Sequence, residues 1–213
     1  MADAFDLREH LIATARAMQA AGLNRGTAGN ISVRCGDGFL ITPTGMPCDV
    51  LTADDIPLLA RDGSSEGRRQ PSSEWRFHRD LYAARPEAGA VLHAHSPFAV
   101  SLACLRREIP PFHYMIARFG GDTIRCADYA IFGSQDLSTA ALQAMAGRRA
   151  CLLANHGLLV AGSDLAEAFA LAVELEELCE QYWRACQLGQ PVLLDATEMA
   201  TVLEKFAGYG QQA

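Results

Sequence analysis

The stretch Gly89-Ala90-Val91-Leu92-His93-Ala94-His95-Ser96-Pro97 carries the most structural information in this chain. Its apolar run favours a β-strand, and in a strand two residues at i and i+2 place their side chains on the same face. The imidazoles of His93 and His95 then converge on one point. A lone histidine in such a run is more often a core residue with one satisfied hydrogen bond, whereas the pair favours a metal site.

A third histidine lies in a similar setting. His156 falls in the apolar run 151–160, which we interpret as one strand interrupted by the polar pair Asn155-His156 and by Gly157. Three convergent histidines suit a divalent transition metal, with zinc as the first choice. A chain of 213 residues buries a full core without help from a metal. We therefore predict a catalytic metal before a structural one.

Composition limits the choice of partners and compartment. The net charge is −7, and no cluster of basic residues exceeds pairs such as Arg68-Arg69, which argues against nucleic acid as a partner. The seven cysteines contain no Cys-x-x-Cys pair, a pattern typical of free thiols in a reducing cytoplasm. The sequence has neither a signal-like N-terminus nor a run of 18 apolar residues. We expect a cytoplasmic protein with no membrane partner.

The order of elements predicts one α/β domain over residues 1–213. Short β-like runs at 31–34 and 39–42 flank Gly36-Asp37-Gly38, which indicates a hairpin. Further strand-like runs occur at 123–126 and 130–132, and Ser138 is a candidate cap for a helix to Met145. The longest helix is predicted from Asp164 to Leu188. We interpret its acids as a solvated face: Glu174, Glu176, Glu177 and Glu180.

A further acid, Glu74, is placed by the segment Pro71-Ser72-Ser73-Glu74 at the start of a helix that ends near Ala84. Serine is a preferred N-cap, and acidic residues favour the first turn. Metal-assisted carbonyl chemistry needs a proton-transfer group, and Glu74 is the best candidate for it. The alternative, a carboxylate that only caps the helix, is left open by the sequence.

Six small or hydroxyl-bearing residues suggest a phosphate site. None belongs to a known phosphate-loop signature, and each alone is an ordinary turn residue. Together they offer backbone N–H groups, hydroxyls and a helix N-terminus, which are the groups that bind phosphate. They are Gly29, Asn30, Thr44, Gly45, Ser72 and Ser73.

Two rival chemistries find little support. Lys205 is the only lysine and adjoins Glu204, so a buried Schiff-base lysine is not expected. The chain contains neither a Gly-x-Ser-x-Gly elbow nor a Gly-x-Gly-x-x-Gly turn, which disfavours a serine hydrolase and a dinucleotide enzyme.

In sequence order, several segments resemble the zinc-dependent class II aldolases of the aldolase/adducin family. The resemblance covers almost the whole chain and implies a three-layer αβα domain with a mainly antiparallel central sheet. It also implies a homotetramer whose active sites lie between neighbouring subunits. The segments are 26–34, 40–45, 71–78, His93-x-His95, 113–117 and His156-Gly157.

Carried over position by position, the resemblance assigns roles to individual residues. It implies that His93, His95 and His156 bind Zn²⁺, or another divalent metal such as Mn²⁺ or Co²⁺. Glu74 becomes a fourth ligand that leaves the metal to act as acid/base, and Tyr114 a second proton-transfer residue that reaches a neighbouring subunit. The phosphate contacts fall on Gly29, Asn30, Thr44, Gly45, Ser72 and Ser73, and the aldehyde end on Phe132 and Tyr209.

The implied reaction is cleavage of a ketose 1-phosphate to dihydroxyacetone phosphate and an aldehyde. Candidate substrates are the 1-phosphates of L-fuculose, 5-deoxyribulose and 5-methylthioribulose. The chain departs from the family's fuculose-cleaving members at Ala94, Ser96 and Asn155. Alternatives on the same fold are a pentulose-5-phosphate 4-epimerase and a methylthioribulose-1-phosphate dehydratase. A non-enzymatic module of the adducin type ranks last, because all the metal ligands are present.

Overall fold

The computed structural model describes residues 4–208 of the chain. The α-helices are α1 (Ala4–Ala20), α2 (Trp75–Ala84), α3 (Pro97–Ala103), α4 (Gln135–Ala144), α5 (Leu165–Leu188) and α6 (Ala196–Ala207). The strands are β1 (Asn30–Cys35), β2 (Gly38–Ile41), β3 (Leu58–Leu59), β4 (Ser65–Glu66), β5 (Ala90–Ala94), β6 (Cys126–Ala127), β7 (Ala150–Leu153) and β8 (Gly157–Gly162).

The histidine-bearing strand β5 lies in the middle of one eight-stranded sheet, in the order β4-β3-β2-β1-β5-β8-β7-β6. It pairs antiparallel with β1, where His93 lies opposite Asn30, and antiparallel with β8, where His93 lies opposite Leu159. The pair β6·β7 is parallel, and the other pairs are antiparallel. The prediction of a mainly antiparallel sheet is confirmed.

Alternation along β5 separates two cores. Ala90, Leu92 and Ala94 join the core formed with α1, α3 and α5, whereas Val91 joins the core formed with α2 and α4. Both sets are fully buried, and burial of a large aliphatic side chain contributes about 1.5–3 kcal/mol. Helices therefore cover both faces of the sheet, and the predicted three-layer αβα architecture is confirmed.

Four local predictions were wrong. The run 151–160 is two strands, β7 and β8, joined by a tight turn that contains His156. Residues 130–132 form no strand. The cap of α4 is Ser134, whose hydroxyl accepts from the N–H of Leu137. Ser138 lies buried inside that helix and donates to Asp80 instead.

The fourth wrong prediction concerns Glu176, whose carboxylate does not face solvent. It accepts hydrogen bonds from Ser96 Oγ at 2.6 Å and from the N–H groups of Phe98 and Ala99. It thus caps α3 from a neighbouring helix. Between residues 4 and 208, no helix has the length and apolarity needed to cross a membrane.

Candidate metal centre and adjoining cleft

The three histidines meet where β5 ends and the β7–β8 turn begins. His93 belongs to β5, His95 follows its last residue, and His156 lies in the turn. Asn155 adopts a left-handed conformation with φ of 54°, which only a few non-glycine residues tolerate. A Cβ on Gly157 would collide with the carbonyl of Ala94 and lie 3.2 Å from both the His93 and His95 rings. Glycine is therefore required there for the rings to converge.

The three imidazole rings lie at nearly equal distances from one another, and the Glu74 carboxylate lies beside them. Their ring centroids are 4.7 to 4.8 Å apart. One ligand atom from each of Glu74, His93, His95 and His156 lies within 4.8 Å of the others. Nε2 of His93 is 2.9 Å from Nε2 of His95 and 3.2 Å from Oε2 of Glu74. Nε2 of His156 is 3.2 Å from Oε1 of Glu74.

This donor set fits a divalent metal. Nδ1 of His93 is 2.8 Å from the carbonyl oxygen of Leu158, which can only accept, so the proton sits on Nδ1 and the lone pair on Nε2. Oε1 of Glu74 is buried and accepts no hydrogen bond from residues 4–208. An uncompensated buried carboxylate oxygen is costly. A cation among the four residues would satisfy that oxygen and the lone pairs of the histidines together.

The carboxylate of Glu74 does not cap its helix. Glu74 is the residue before α2, yet its side chain makes no capping hydrogen bond, and its own N–H donates to Ser72 Oγ. The side chain points to the histidines instead, and Oε2 accepts from Nδ2 of Asn30 at 3.0 Å. The helix-capping alternative for Glu74 is therefore wrong.

The protonation states of the cluster suit metal binding at neutral pH. Burial favours a raised pKa for Glu74, but the neighbouring His93 and His156 and the Asn30 hydrogen bond bring it down to about 2. Burial, together with the close approach of the His93 ring, lowers the pKa of His95 and of His156 to about 4. The carboxylate is then ionised while His95 and His156 are neutral, which are the forms that bind metal.

A cleft of about 150 Å³ opens beside the cluster and gathers all six residues of the predicted phosphate site. Gly29 and Gly45 have φ of 71° and 67°, so glycine is favoured at both turns. Asn24 packs against Gly29, where a Cβ would not fit, and its Oδ1 accepts from the N–H of His95 at 2.9 Å. Asn24 thereby joins the glycine turn to the histidine strand.

The other loops of the cleft are held by backbone contacts. The N–H of Ser72 donates to the carbonyl of Thr42, and the N–H of Thr44 donates to that of Gln70. A Cβ on Gly133 would press against the carbonyl of Ser73, and Arg76 donates to the carbonyl of Gly133 at 2.8 Å. The 131–134 loop is thus fixed against the start of α2. It brings Phe132, which is 63% exposed, to the rim of the cleft.

Two predicted site residues are not placed in this cleft. Tyr114 is 51% exposed and stacks on Phe206, with ring centroids 6.5 Å apart, in a groove between α6 and the 3₁₀ helix Tyr114–Phe119. It does not line the cleft of its own chain among the residues described. The prediction for Tyr209 lies outside the described residues.

Sequence reasoning missed two residues that support the site. His78 lies four residues after Glu74 on α2, a helical spacing that places both on one face, so the signal was present. Nε2 of His78 is 2.6 Å from Oδ1 of Asn30. Asn24 carried no such signal, because its role depends on a contact with the backbone of His95, 71 residues away.

This αβα domain presents three histidines and an ionised carboxylate at a cleft lined by hydroxyl groups. These features define a metal-dependent enzyme. The chain belongs to the class II aldolase family: the model described as "Class II Aldolase and Adducin N-terminal domain" matches residues 9–183. Members of this family depend on a metal, in agreement with the cluster.

Similar proteins agree with this membership. The chain is 55% identical over 207 residues to a 5-methylthioribulose-1-phosphate/5-deoxyribulose-1-phosphate aldolase of Rhodospirillum rubrum, covering 97% of this chain and 94% of that one. It is 45% identical to the L-fuculose phosphate aldolase of Escherichia coli, covering 96% and 95%. A solved structure of an L-fuculose 1-phosphate aldolase superposes with a TM-score of 0.93 at 40% identity, covering 97% and 98%.

Proposed function

We propose that this protein is a metal-dependent aldolase that cleaves ketose 1-phosphates to dihydroxyacetone phosphate and an aldehyde. The observation that carries the proposal is the single cleft in which the Glu74–histidine cluster adjoins the glycine and hydroxyl lining. The names of its relatives, which are aldolases of 5-methylthioribulose, 5-deoxyribulose and fuculose phosphates, support it.

His93, His95 and His156 would hold the metal, with Glu74 beside them, and zinc suits three imidazoles and a carboxylate best. When bound, the metal supplies a Lewis acid next to the ketose oxygens. His95 and His156, which are neutral at pH 7, provide ligand nitrogens without a proton to displace. The buried strand β5 fixes His93, and the hydrogen bond from the His95 N–H to Asn24 fixes the residue that follows it, so these ligands are arranged before the metal arrives.

Glu74 is the group placed to move protons. Cleavage breaks the C3–C4 bond of the ketose: the C4 hydroxyl loses its proton and becomes the aldehyde carbonyl, and the bonding electrons move to C3. A proton delivered to C3 completes dihydroxyacetone phosphate. Oε1 of Glu74, ionised and without a hydrogen bond from the described chain, can accept the first proton and return one later.

The rest of the cleft suits a phosphate. In the described part of the chain no lysine or arginine lines it. Backbone amides at glycine turns, the hydroxyls of Thr44, Ser72 and Ser73, and the N-terminus of α2 offer uncharged donors and a favourable dipole. We expect dihydroxyacetone phosphate to bind far more tightly than dihydroxyacetone in equilibrium titrations of the metal-loaded protein. Equal affinities would contradict the phosphate assignment.

The rim suits an apolar aldehyde. Phe132 offers ring surface where a hydroxyl-rich aldehyde would need polar partners, and an added apolar group contributes about 1 to 3 kcal/mol to discrimination. We expect activity on 1-phosphates whose far carbon is a methyl or methylthio group. The Phe132→Ser variant should lose kcat/KM on these substrates more than on a ketose 1-phosphate with a hydroxylated terminus.

Tyr114 enters the proposal through a second subunit. Its exposed ring borders a groove of about 880 Å³ lined by Val202, Leu203 and Phe206, away from the cleft of its own chain. We propose a homotetramer in which Tyr114 reaches the cleft of a neighbour. Mixing inactive Tyr114→Phe and Glu74→Gln proteins under subunit exchange should then restore part of the activity, because some clefts receive both native residues. Absence of any recovery with proven exchange would contradict this arrangement.

One comparison tests the function directly. The kcat/KM should be measured on 5-methylthioribulose, 5-deoxyribulose and L-fuculose 1-phosphates and on L-ribulose 5-phosphate, with products identified. Dihydroxyacetone phosphate from the 1-phosphates is the expected result. Xylulose 5-phosphate as the only product would assign the protein to the epimerases, and loss of water without C–C cleavage would assign it to the dehydratases.

A further inference from the structure

Four hydrogen bonds run in series from the α2 side of the core to Glu74. The hydroxyl of Tyr82 is 2.8 Å from Ser32 Oγ, and Ser32 Oγ is 2.7 Å from Nδ1 of His78. Nε2 of His78 is 2.6 Å from Oδ1 of Asn30, and Nδ2 of Asn30 is 3.0 Å from Oε2 of Glu74. Each residue therefore contacts the next, and the last contact is with the carboxylate proposed to move protons.

The series follows from simple periodicities in the sequence. The spacing of Glu74, His78 and Tyr82 is i, i+4 and i+8. All three therefore lie on one face of α2, which begins directly after Glu74. Asn30 and Ser32 are spaced at i and i+2 on β1, so they lie on one face of that strand. The two rows face each other, and the contacts alternate between helix and strand.

Donor and acceptor are fixed at every step. The ionised Glu74 carboxylate only accepts, so the Asn30 amide must present its nitrogen to Glu74 and its oxygen to His78. His78 must then donate from Nε2, which leaves Nδ1 of the neutral ring as an acceptor for the Ser32 hydroxyl. The hydroxyl hydrogen of Ser32 is engaged in the bond to His78, so the Ser32 oxygen accepts from Tyr82. All four donors thus point in one direction, toward Glu74.

The series is almost entirely buried. Ser32 and His78 are fully buried, and Asn30 and Tyr82 expose 5% and 6% of their surface. Burial lowers the pKa of His78 to about 3, which agrees with a neutral ring. In a medium of low polarizability, hydrogen bonds in series strengthen one another, and an unpaired member would be costly. The orientation of the carboxylate is therefore coupled to groups that do not contact the cleft.

We propose that His78 is a positioning residue for Glu74: through Asn30 it holds Oε2 in place and leaves Oε1 as the oxygen available to the substrate. Ser32 and Tyr82 in turn fix the tautomer of His78. The inference rests on the proposed role of Glu74 as the proton-transfer group. Oε1 is the buried carboxylate oxygen that lacks a hydrogen bond within residues 4–208, in contrast to Oε2.

The test compares His78→Phe with His78→Gln. Phenylalanine preserves the ring packing against Phe77 and Phe39, whose centroids lie 4.8 and 6.5 Å from that of His78, but it removes both hydrogen bonds. Glutamine restores an N–H donor for Asn30. Four quantities are measured on the full-length protein: kcat, KM, metal content, and exchange of a C3 hydrogen of dihydroxyacetone phosphate with D₂O, which reports proton transfer without an aldehyde.

We expect His78→Phe to lower kcat and the exchange rate together by about 10- to 100-fold, with KM and metal content retained. His78→Gln should recover most of that loss. Tyr82→Phe, which deletes only the hydroxyl farthest from Glu74, should lower kcat by less than about tenfold. A residue that merely fills the core would not produce this separation between kcat and KM.

Other outcomes overturn the inference in distinguishable ways. If Glu74→Gln is inactive while His78→Phe turns over normally, the positioning role is wrong and the proposed function stands. If metal content falls in parallel with kcat, the series supports the metal site and not the carboxylate. Wild-type turnover in Glu74→Gln would remove the proposed role of Glu74 itself. Should His78→Phe not fold, the Ser32→Ala/Tyr82→Phe double variant decides, and an unchanged exchange rate there refutes the inference.

Discussion

Two glutamates beside helix N-termini show how differently this fold uses the same side chain. Glu176 accepts from Ser96 Oγ and from two backbone N–H groups at the start of α3, so both of its oxygens are satisfied. Glu74, at the start of α2, accepts one hydrogen bond on Oε2, and its buried Oε1 accepts none within the described chain. The first arrangement holds two helices together, whereas the second leaves capacity for chemistry.

The environment of a carboxylate, and not its place along a helix, therefore separates a structural role from a chemical one. Both residues lie near a positive helix end, which favours an anion in either case. Only Glu74 also faces His93 and His156 across a cleft.

Removing a histidine of the cluster should have the largest effect. His93→Ala deletes the ligand fixed in β5, so metal content should fall well below the level of about one ion per chain expected for the native protein, and activity should be lost. Chelation should reproduce the loss, and added Zn²⁺ should reverse it only in the native protein. His10→Ala, at an exposed site on α1, is the matched control. A fully active, metal-free preparation would contradict the metal centre.

The next largest effect is expected for Glu74→Gln. The amide keeps the size of the side chain but cannot accept and return a proton, so kcat should fall by about 10²- to 10⁴-fold, with substrate binding largely retained. Steady-state kinetics and a binding titration measure the two quantities. Glu177→Gln, on the exposed face of α5, controls for loss of one negative charge. Turnover equal to the native rate would mean that Glu74 is not the proton-transfer group.

Glu176→Gln should show the opposite pattern. Its amide nitrogen would face groups that donate to the native carboxylate, so the free energy of unfolding should fall by about 1–3 kcal/mol while kcat falls far less than in Glu74→Gln. Chemical denaturation of the metal-free proteins gives the first quantity. Glu177→Gln again serves as control and should change stability by less than about 0.5 kcal/mol. Unchanged stability in Glu176→Gln would remove the contrast between the two acids.

Acid should lower the free energy of unfolding through His78, the buried histidine that supports Glu74. His78 stays neutral in the folded state because burial lowers its pKa to about 3, whereas its pKa in the unfolded chain is about 6.5. The unfolded chain therefore binds the extra proton first, and stability is lost as the pH falls below about 6.5. The contribution of His78 to the free energy of unfolding should be about 2 kcal/mol smaller at pH 5 than at pH 7.

The measurement compares the native protein with His78→Phe at pH 7 and pH 5. Because phenylalanine does not titrate, the variant should lose less stability over this interval, by the amount expected for His78. Equal losses in the two proteins would show that His78 is protonated in the folded state or exposed to solvent.

Much of this site was readable from local patterns. The His93-x-His95 spacing correctly predicted that the two rings converge, and Glu74 was correctly put at a helix start because two serines precede it. The hairpin of β1 and β2 followed from glycines around Asp37. In each case the determining interactions lie within a few residues.

The wrong predictions concern residues whose structure depends on contacts with segments distant in the sequence. Glu176 looks solvated on its own helix, and only the approach of α3 makes it a cap. Ser138 could not be distinguished from Ser134 as a cap, because the choice depends on the contact of Ser138 with Asp80 on α2. The turn at His156 was hidden by the apolar residues on both sides, which suit one long buried strand as well as two short ones.

The central position of β5 also has a consequence for the order of events in folding. The metal-centre residues lie next to α2, in or next to β5, and in the β7–β8 turn. The segment of β5 must pair with β8, more than sixty residues later in the chain, before His93 and His156 can approach each other. Such pairings between distant segments form slowly and late. A bound cation should therefore slow unfolding strongly and speed refolding little, because its binding site exists only once the sheet is complete.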